Sequence, residues 1–190
     1  MGYIKKSREE ILSGIIETEA HLNKIQDVDV LMEQILTEAR KVVHADAGSI
    51  YVRDGDRLAI HYAQNDTLQK QLPPGQKILY SYFSFPINEK TIAGYSALTK
   101  QLVNEPDVYV IDPDKPYKFG RQSDAVSGYR TRSNLTIPLT TSGGAILGVL
   151  QVLNAIDESG EVSHFDKDDE LYISHFAANA TVALEHAHLT

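Results

Sequence analysis

The chain has 190 residues, 42% hydrophobic and 23% charged, which is enough apolar material for one domain core. Lys and Arg number 18 against 26 Asp and Glu, and the resulting net charge of -8 repels a phosphate backbone, so nucleic acid is a poor partner. With cysteine at 0, disulfide frameworks, thiolate zinc sites, thiol nucleophiles and thioether-linked chromophores are excluded.

The first 26 residues read as a helix. Ile4, Ile11, Ile15, Leu22 and Ile25 recur at helical spacing, with Lys6, Glu9, Glu10, Glu17 and Lys24 opposite. So narrow a stripe suits a helix that pairs with another helix, although Gly14 weakens it. Asp27 or Asp29 caps a second helix with a wider face of Leu31, Ile35, Leu36, Ala39, Val42 and Val43, ending near His44. Residues 48–53 and 58–63 are β-rich and flank Asp54-Gly55-Asp56, a hairpin signal. Pro73-Pro74-Gly75 marks a loop, and residues 77–87 read as a strand interrupted at Ser81. Asn88 or Thr91 caps a short helix reaching about Leu98. Residues 104–124 hold Pro106, Pro113 and Pro116 among several aspartates, and read mostly as a long loop of the functional or mobile kind.

Two clear strands follow. Residues 133–140 lead through the turn Thr141-Ser142-Gly143-Gly144 into residues 145–154. There Ile146, Gly148, Leu150 and Val152 alternate with Leu147, Val149, Gln151 and Leu153, so both sides are apolar and the strand is central. The last helix opens with the acidic run 165–170 and carries Leu171, Phe176, Ala177, Ala180, Ala183, Leu184 and Ala187. It meets no Gly or Pro stop, which suggests a chain cut from a longer protein. The expected fold is therefore α+β: an antiparallel sheet with terminal helices on one face, and the short helix and long loop roofing a ligand pocket on the other.

Catalytic patterns are absent. His21, His44, His61, His164, His175, His186 and His188 form no metal-ligand spacing, and no nucleophile-elbow, Walker or dinucleotide glycine pattern occurs. The acidic run 157–170 lacks the spacing of an EF-hand loop. No apolar run approaches the roughly 20 residues that span a bilayer, and the N-terminus lacks the apolar stretch of a signal peptide, which points to the cytoplasm. The informative segment is 124–135. It sets Asp124, Ser127, Tyr129, Thr131, Ser133 and Asn134 just ahead of an apolar strand, with Gly128 permitting an unusual turn. Polar groups at the mouth of an apolar cleft suit a purine, and they equally suit strand ends and a solvated loop.

Gly-Tyr-Arg-Thr-Arg-Ser-Asn-Leu-Thr-Ile-Pro138 and Gly-Gly-Ala-Ile-Leu-Gly-Val-Leu-Gln-Val-Leu-Asn154, followed by Phe165 and Asp169-Glu170, resemble a GAF domain. The match is to the branch found in cyclic-nucleotide phosphodiesterases, bacterial adenylyl cyclases and HD-type phosphohydrolases. It implies a sheet of about six antiparallel strands over residues 27–190, preceded by a signalling helix over 1–26. It also implies that Asn154, Phe165, Asp169 and Glu170 are structural signature residues. The branch has a Lys after the signature Asn, thought to pair with the signature Asp, where this chain has Ala155. The implied ligand contacts are Ser49, Ile92, Ala93, Asp124, Ser127, Thr131 and Gln151, the last where the branch has Glu. The implied ligand is cAMP, cGMP or a similar small molecule, with no cofactor required.

The expectation is thus a non-catalytic sensor, homodimeric through its terminal helices, signalling to an effector such as a phosphohydrolase or nucleotide cyclase. The alternative is a dimerisation and spacer module that binds no ligand. A GAF-like family that reduces free methionine sulfoxide uses cysteines, which this chain lacks.

Overall fold

A computed structural model describes residues 5–76 and 83–189. Ile4 of the first stripe and residues 77–82 of the expected third strand lie outside the described residues.

Two helices open the chain. α1 (Arg8–Leu22) starts where the Ser7 hydroxyl accepts the Glu10 N–H at 3.2 Å. α2 (Val28–Val43) starts where Asp27 accepts the Val30 N–H at 3.0 Å, and ends at His44 in the left-handed region. β1 (Ala45–Asp54) and β2 (Arg57–Asn65) form the expected hairpin, with Asp54 opposite Arg57 across a two-residue turn. α3 (Asp66–Gln71), β3 (Ser84–Pro86), α4 (Ile92–Thr99) and β4 (Val103–Glu105) follow. Thr91, one of the two expected caps, accepts the Gly94 N–H at 3.0 Å at the start of α4. The chain continues through α5 (Gln122–Ser127), β5 (Asn134–Thr140), β6 (Ile146–Ile156), β7 (Val162–Ser163) and α6 (Lys167–Leu189).

The strands pair antiparallel in the order β3-β2-β1-β6-β5-β4, and β7 pairs with the end of β6. Because side chains alternate across a strand, each strand sends one set to each face. On one face Ile50, Val52, Leu135, Ile137, Leu150 and Val152 pack against Met32, Ile35 and Leu36 of α2 and Ile173, Phe176 and Ala180 of α6. Each such side chain contributes about 1.5–3 kcal/mol by leaving water. On the other face Tyr51, Leu58 and Val149 pack against Ala93 and Ala97 of α4. Ile92 of α4 packs with Val103 of β4 and with Val108 and Tyr117 of the long loop. The terminal helices and the roof thus take opposite sides of the sheet, as the sequence leads one to expect.

Regular alternation along β6 does not hold. Leu139 stands opposite Gly148 and Thr140 opposite Ile146, so Leu147 is an extra residue in β6. This bulge moves Ile146 to the side of Val149, while Leu147 packs toward the terminal helices. The site demands glycine at 148, since a Cβ there would lie 2.0 Å from the Tyr51 carbonyl oxygen. Four elements, α3, β4, α5 and β7, escaped the sequence reading. Each is six residues or fewer, too short for a hydrophobic period to register.

Candidate functional site

A cavity of about 150 Å³ lies between the sheet and the roof. All seven expected contact residues line it: Ser49 from β1, Ile92 and Ala93 from α4, Asp124 and Ser127 from α5, Thr131 just before β5, and Gln151 from β6. These residues are scattered over more than a hundred positions of chain. They meet because the β1–β6 and β5–β6 pairings set Ser49 and Thr136 on either side of Gln151, one polar row across three strands. Tyr51, Ile60, Phe85, Leu68 and Leu153 supply apolar wall. Ser133, named with the polar segment, does not line the cavity. It is fully buried, and its hydroxyl accepts the Ala155 N–H at 3.0 Å.

Asp124 is the hub of the mouth. Its Oδ1 accepts the Thr131 hydroxyl at 2.8 Å, and its Oδ2 accepts the Thr131 N–H at 2.9 Å and the Tyr109 hydroxyl at 2.6 Å. That hydrogen bond, and to a lesser degree burial, push the Tyr109 phenol above its ordinary range, so it stays a donor. The Tyr109 ring carries the Arg130 guanidinium at 3.8 Å and that of Arg121 at 4.7 Å, and meets Phe119 at 5.4 Å. One tyrosine of the long loop therefore ties the roof to α5 and to the segment leading into β5. Sequence reasoning missed Tyr109. Its signal was the apolar run Val108-Tyr109-Val110-Ile111 set between Pro106-Asp107 and Asp112-Pro113.

α5 ends at Gly128, which adopts φ +75 and turns the chain back toward the sheet. Tyr129 follows and its hydroxyl donates to Asp46 at 2.8 Å. Burial and the Asp46 carboxylate push this phenol well above its ordinary range. The same hydroxyl accepts from Asn154 Nδ2 at 2.8 Å. Asn154 uses its whole amide: Nδ2 also donates to the Arg130 carbonyl at 2.8 Å, and Oδ1 accepts the Arg132 and Ser133 N–H groups at 2.7 and 3.2 Å. The first signature residue thus pins the segment that carries Thr131.

The other signature residues organise the start of α6. Phe165 is buried in the main core, and its carbonyl accepts the Asn104 amide, which also donates to Glu170 at 2.9 Å. Asp166 and Asp169 cap each other's N–H groups at 2.9 and 2.8 Å. Ala155 and Asp169 line one groove beside α1, and Ala155 offers Asp169 no charge.

At the roof, Thr91 caps Gly94 and leaves the Ile92 and Ala93 N–H groups as the first-turn donors of α4. Asn134, Thr136 and Gln151 are hydrogen-bonded together on the floor. Thr136 was not singled out from the sequence, although a polar residue inside the apolar run Leu-Thr-Ile was visible there. Among the described residues no group of three or more His, Asp or Glu could hold a metal ion. The arrangement is a set of donors and acceptors on an apolar box, of the kind that holds a small polar ring.

Comparison with known proteins gives a family and a fold. A family model described as GAF domain matches residues 27–184. A cGMP-specific 3',5'-cyclic phosphodiesterase of Drosophila melanogaster is 27% identical over 172 residues, which is 86% of this chain and 14% of that protein. A dual 3',5'-cyclic-AMP and -GMP phosphodiesterase 11A of Takifugu rubripes is 35% identical over 100 residues, 53% of this chain and 10% of that protein. The chain therefore spans a small fraction of the length of these curated relatives. Among solved structures, the GAF domain of a phosphoenolpyruvate-protein phosphotransferase from Coxiella burnetii superposes with a TM-score of 0.73 at 17% identity, covering 97% of this chain and 98% of that one. The free methionine-R-sulfoxide reductase from Neisseria meningitidis superposes with a TM-score of 0.69 at 16% identity, covering 100% of this chain and 96% of that one.

Proposed function

The chain belongs to the GAF domain family of regulatory sensor modules, and from that premise we propose that its cavity takes a cyclic nucleotide or a similar small molecule. The observation that carries this is the meeting of Ser49, Ile92, Ala93, Asp124, Ser127, Thr131 and Gln151 around one cavity. The relatives named above act on cyclic nucleotides, which supports a purine phosphate as the ligand class. The first-turn N–H groups of α4 would face the cyclic phosphate, where unpaired donors and the helix dipole favour negative charge. The floor of Ser49, Asn134 and Gln151 would meet the base.

The domain itself performs no chemistry in this reading. α1, within the N-terminal segment 1–26, acts as the signalling helix ahead of the sensing body that begins at residue 27, and the homodimer forms through the terminal helices. Ile16 on α1 and Val182 on α6 are exposed apolar residues on those helices. Output passes to an effector of phosphohydrolase or cyclase type in the cytoplasm. No helix among the described residues is long and apolar enough to cross a membrane.

A second reading, a spacer that binds nothing, draws on the saturation of Asp124 by three protein donors. Titration calorimetry with cAMP and with cGMP separates the two. We expect heat of binding with the wild type, and a loss of about 10-fold or more in affinity for Thr131→Ala. Wild type silent to both nucleotides supports the spacer.

A further inference from the structure

The cavity floor contains a hydrogen-bond chain that runs through a residue outside the cavity. Gln151 Nε2 donates to the Thr136 hydroxyl at 2.9 Å, and that hydroxyl donates to Asn134 Oδ1 at 2.7 Å. The three residues are brought together by strand geometry. Thr136 is the direct cross-strand partner of Gln151, and Asn134 lies two residues before it on the same face. All three are at least nine-tenths buried, and Gln151 and Asn134 line the cavity while Thr136 lies behind them.

A hydroxyl has one proton and must accept with its lone pairs. In the arrangement observed, Gln151 keeps its carbonyl oxygen for the cavity and Asn134 keeps its amino group. If the Thr136 hydroxyl turns and both amides rotate by half a turn, Asn134 donates to Thr136 and Thr136 donates to Gln151. The chain again has two hydrogen bonds, and its remaining amide groups again face the cavity. The floor now presents an amino group from Gln151 and a carbonyl from Asn134. Two purine edges match these two states in opposite order. Guanine offers an N1–H donor beside the O6 acceptor, and adenine an N1 acceptor beside the 6-amino donor.

We infer that Thr136 is a positioning residue, and that Gln151, Thr136 and Asn134 form a reversible relay that lets this cavity accept either purine with little preference. The inference rests on the ligand reading above. It concerns the choice between bases, whereas that reading concerns whether a nucleotide binds at all. A floor of fixed polarity would reject the wrong base by about 1–3 kcal/mol per mismatched pair, up to roughly 100-fold.

The test has two arms. In calorimetry, wild type binds cAMP and cGMP within about 10-fold of each other. Gln151→Glu has no amino group, so Thr136 must donate to Glu and Asn134 to Thr136. The floor then offers two acceptors, and the charged one faces the N1 position, where it attracts the N1–H of guanine and repels the N1 lone pair of adenine, so preference moves toward cGMP by about 10-fold. Thr136→Ser keeps the hydroxyl and the wild-type ratio. A wild-type preference near 100-fold, or a Gln151→Glu ratio equal to wild type, overturns the relay. The second arm needs no ligand. In nitrogen-15 spectra of the free chain, Thr136→Val moves the side-chain amide signals of both Gln151 and Asn134, and Thr136→Ser moves neither. Amide signals that ignore Thr136→Val overturn the relay. Failure of both nucleotides to bind, with this arm positive, overturns the ligand reading alone.

Discussion

Asp169 carries an electrostatic cost that its neighbours do not relieve. Burial, together with the negative charge of Asp166 and Asp168, pushes its carboxyl up to about 7, against the opposing pull of the Asp166 N–H. The residue at 155, which the family resemblance gives as Lys, is Ala, so position 155 supplies no cation to the groove. A carboxyl that holds its proton more tightly in the folded state adds stability in full below its ordinary value, near pH 4, and loses it as pH rises toward 7. Asp169→Asn keeps an oxygen for the Asp166 N–H and cannot ionise. Its thermal midpoint, measured against wild type at pH 5, 6, 7 and 8, should therefore gain on wild type as pH rises. A constant gap contradicts the assignment. The spacing of Asn154, Phe165 and Asp169 was legible in the sequence, but the burial that raises the carboxyl was not. It depends on where β6 and β7 set the groove wall, and β7 is only two residues long.

The central strands join the two sides of the molecule. β5 and β6 turn Asn134 and Gln151 toward the cavity with Thr136 behind them on the same face, and Leu135, Ile137, Leu150 and Val152 toward α6 and α2. A shift of either strand is therefore felt on both faces, because packed cores resist gradual deformation. The β6 bulge sits at the end of this pair and sets which face each later residue takes. Gly148→Ala places a methyl against the Tyr51 carbonyl, and we expect a loss of about 3 kcal/mol, read from denaturant unfolding. A loss under about 1 kcal/mol contradicts the close approach. The alternating apolar residues of β6 made its central position legible, and Asp27 and Thr91 announced their helices. The bulge was hidden because an extra residue leaves no mark in an apolar run. The Tyr109 contact was hidden because it joins residues brought together only by the folded loop.

At the scale of the molecule, the account links a filled cavity to the helices at the chain ends. α1 is held along α6 by Arg8 with Asp168 at 3.8 Å and by Glu19 with Asn179 at 3.3 Å. These polar contacts are exposed or half-buried and of small individual worth, whereas Ile15 and Leu22 of α1 are buried in the main core, so the helix pair moves only with a repacking of that core. A ligand moves such an equilibrium only by its difference in affinity for the two packings, typically about 1–3 kcal/mol. The Tyr109–Asp124 contact places the roof under the same control, since Asp124 lines the cavity it closes. Backbone hydrogen exchange on the whole chain, with and without saturating cAMP and cGMP, reads every part of this at once. The account predicts slower exchange in residues 91–99 and 106–131, together with altered exchange in α1 and α6. Rates in α1 and α6 that stay the same while the cavity is filled would contradict it.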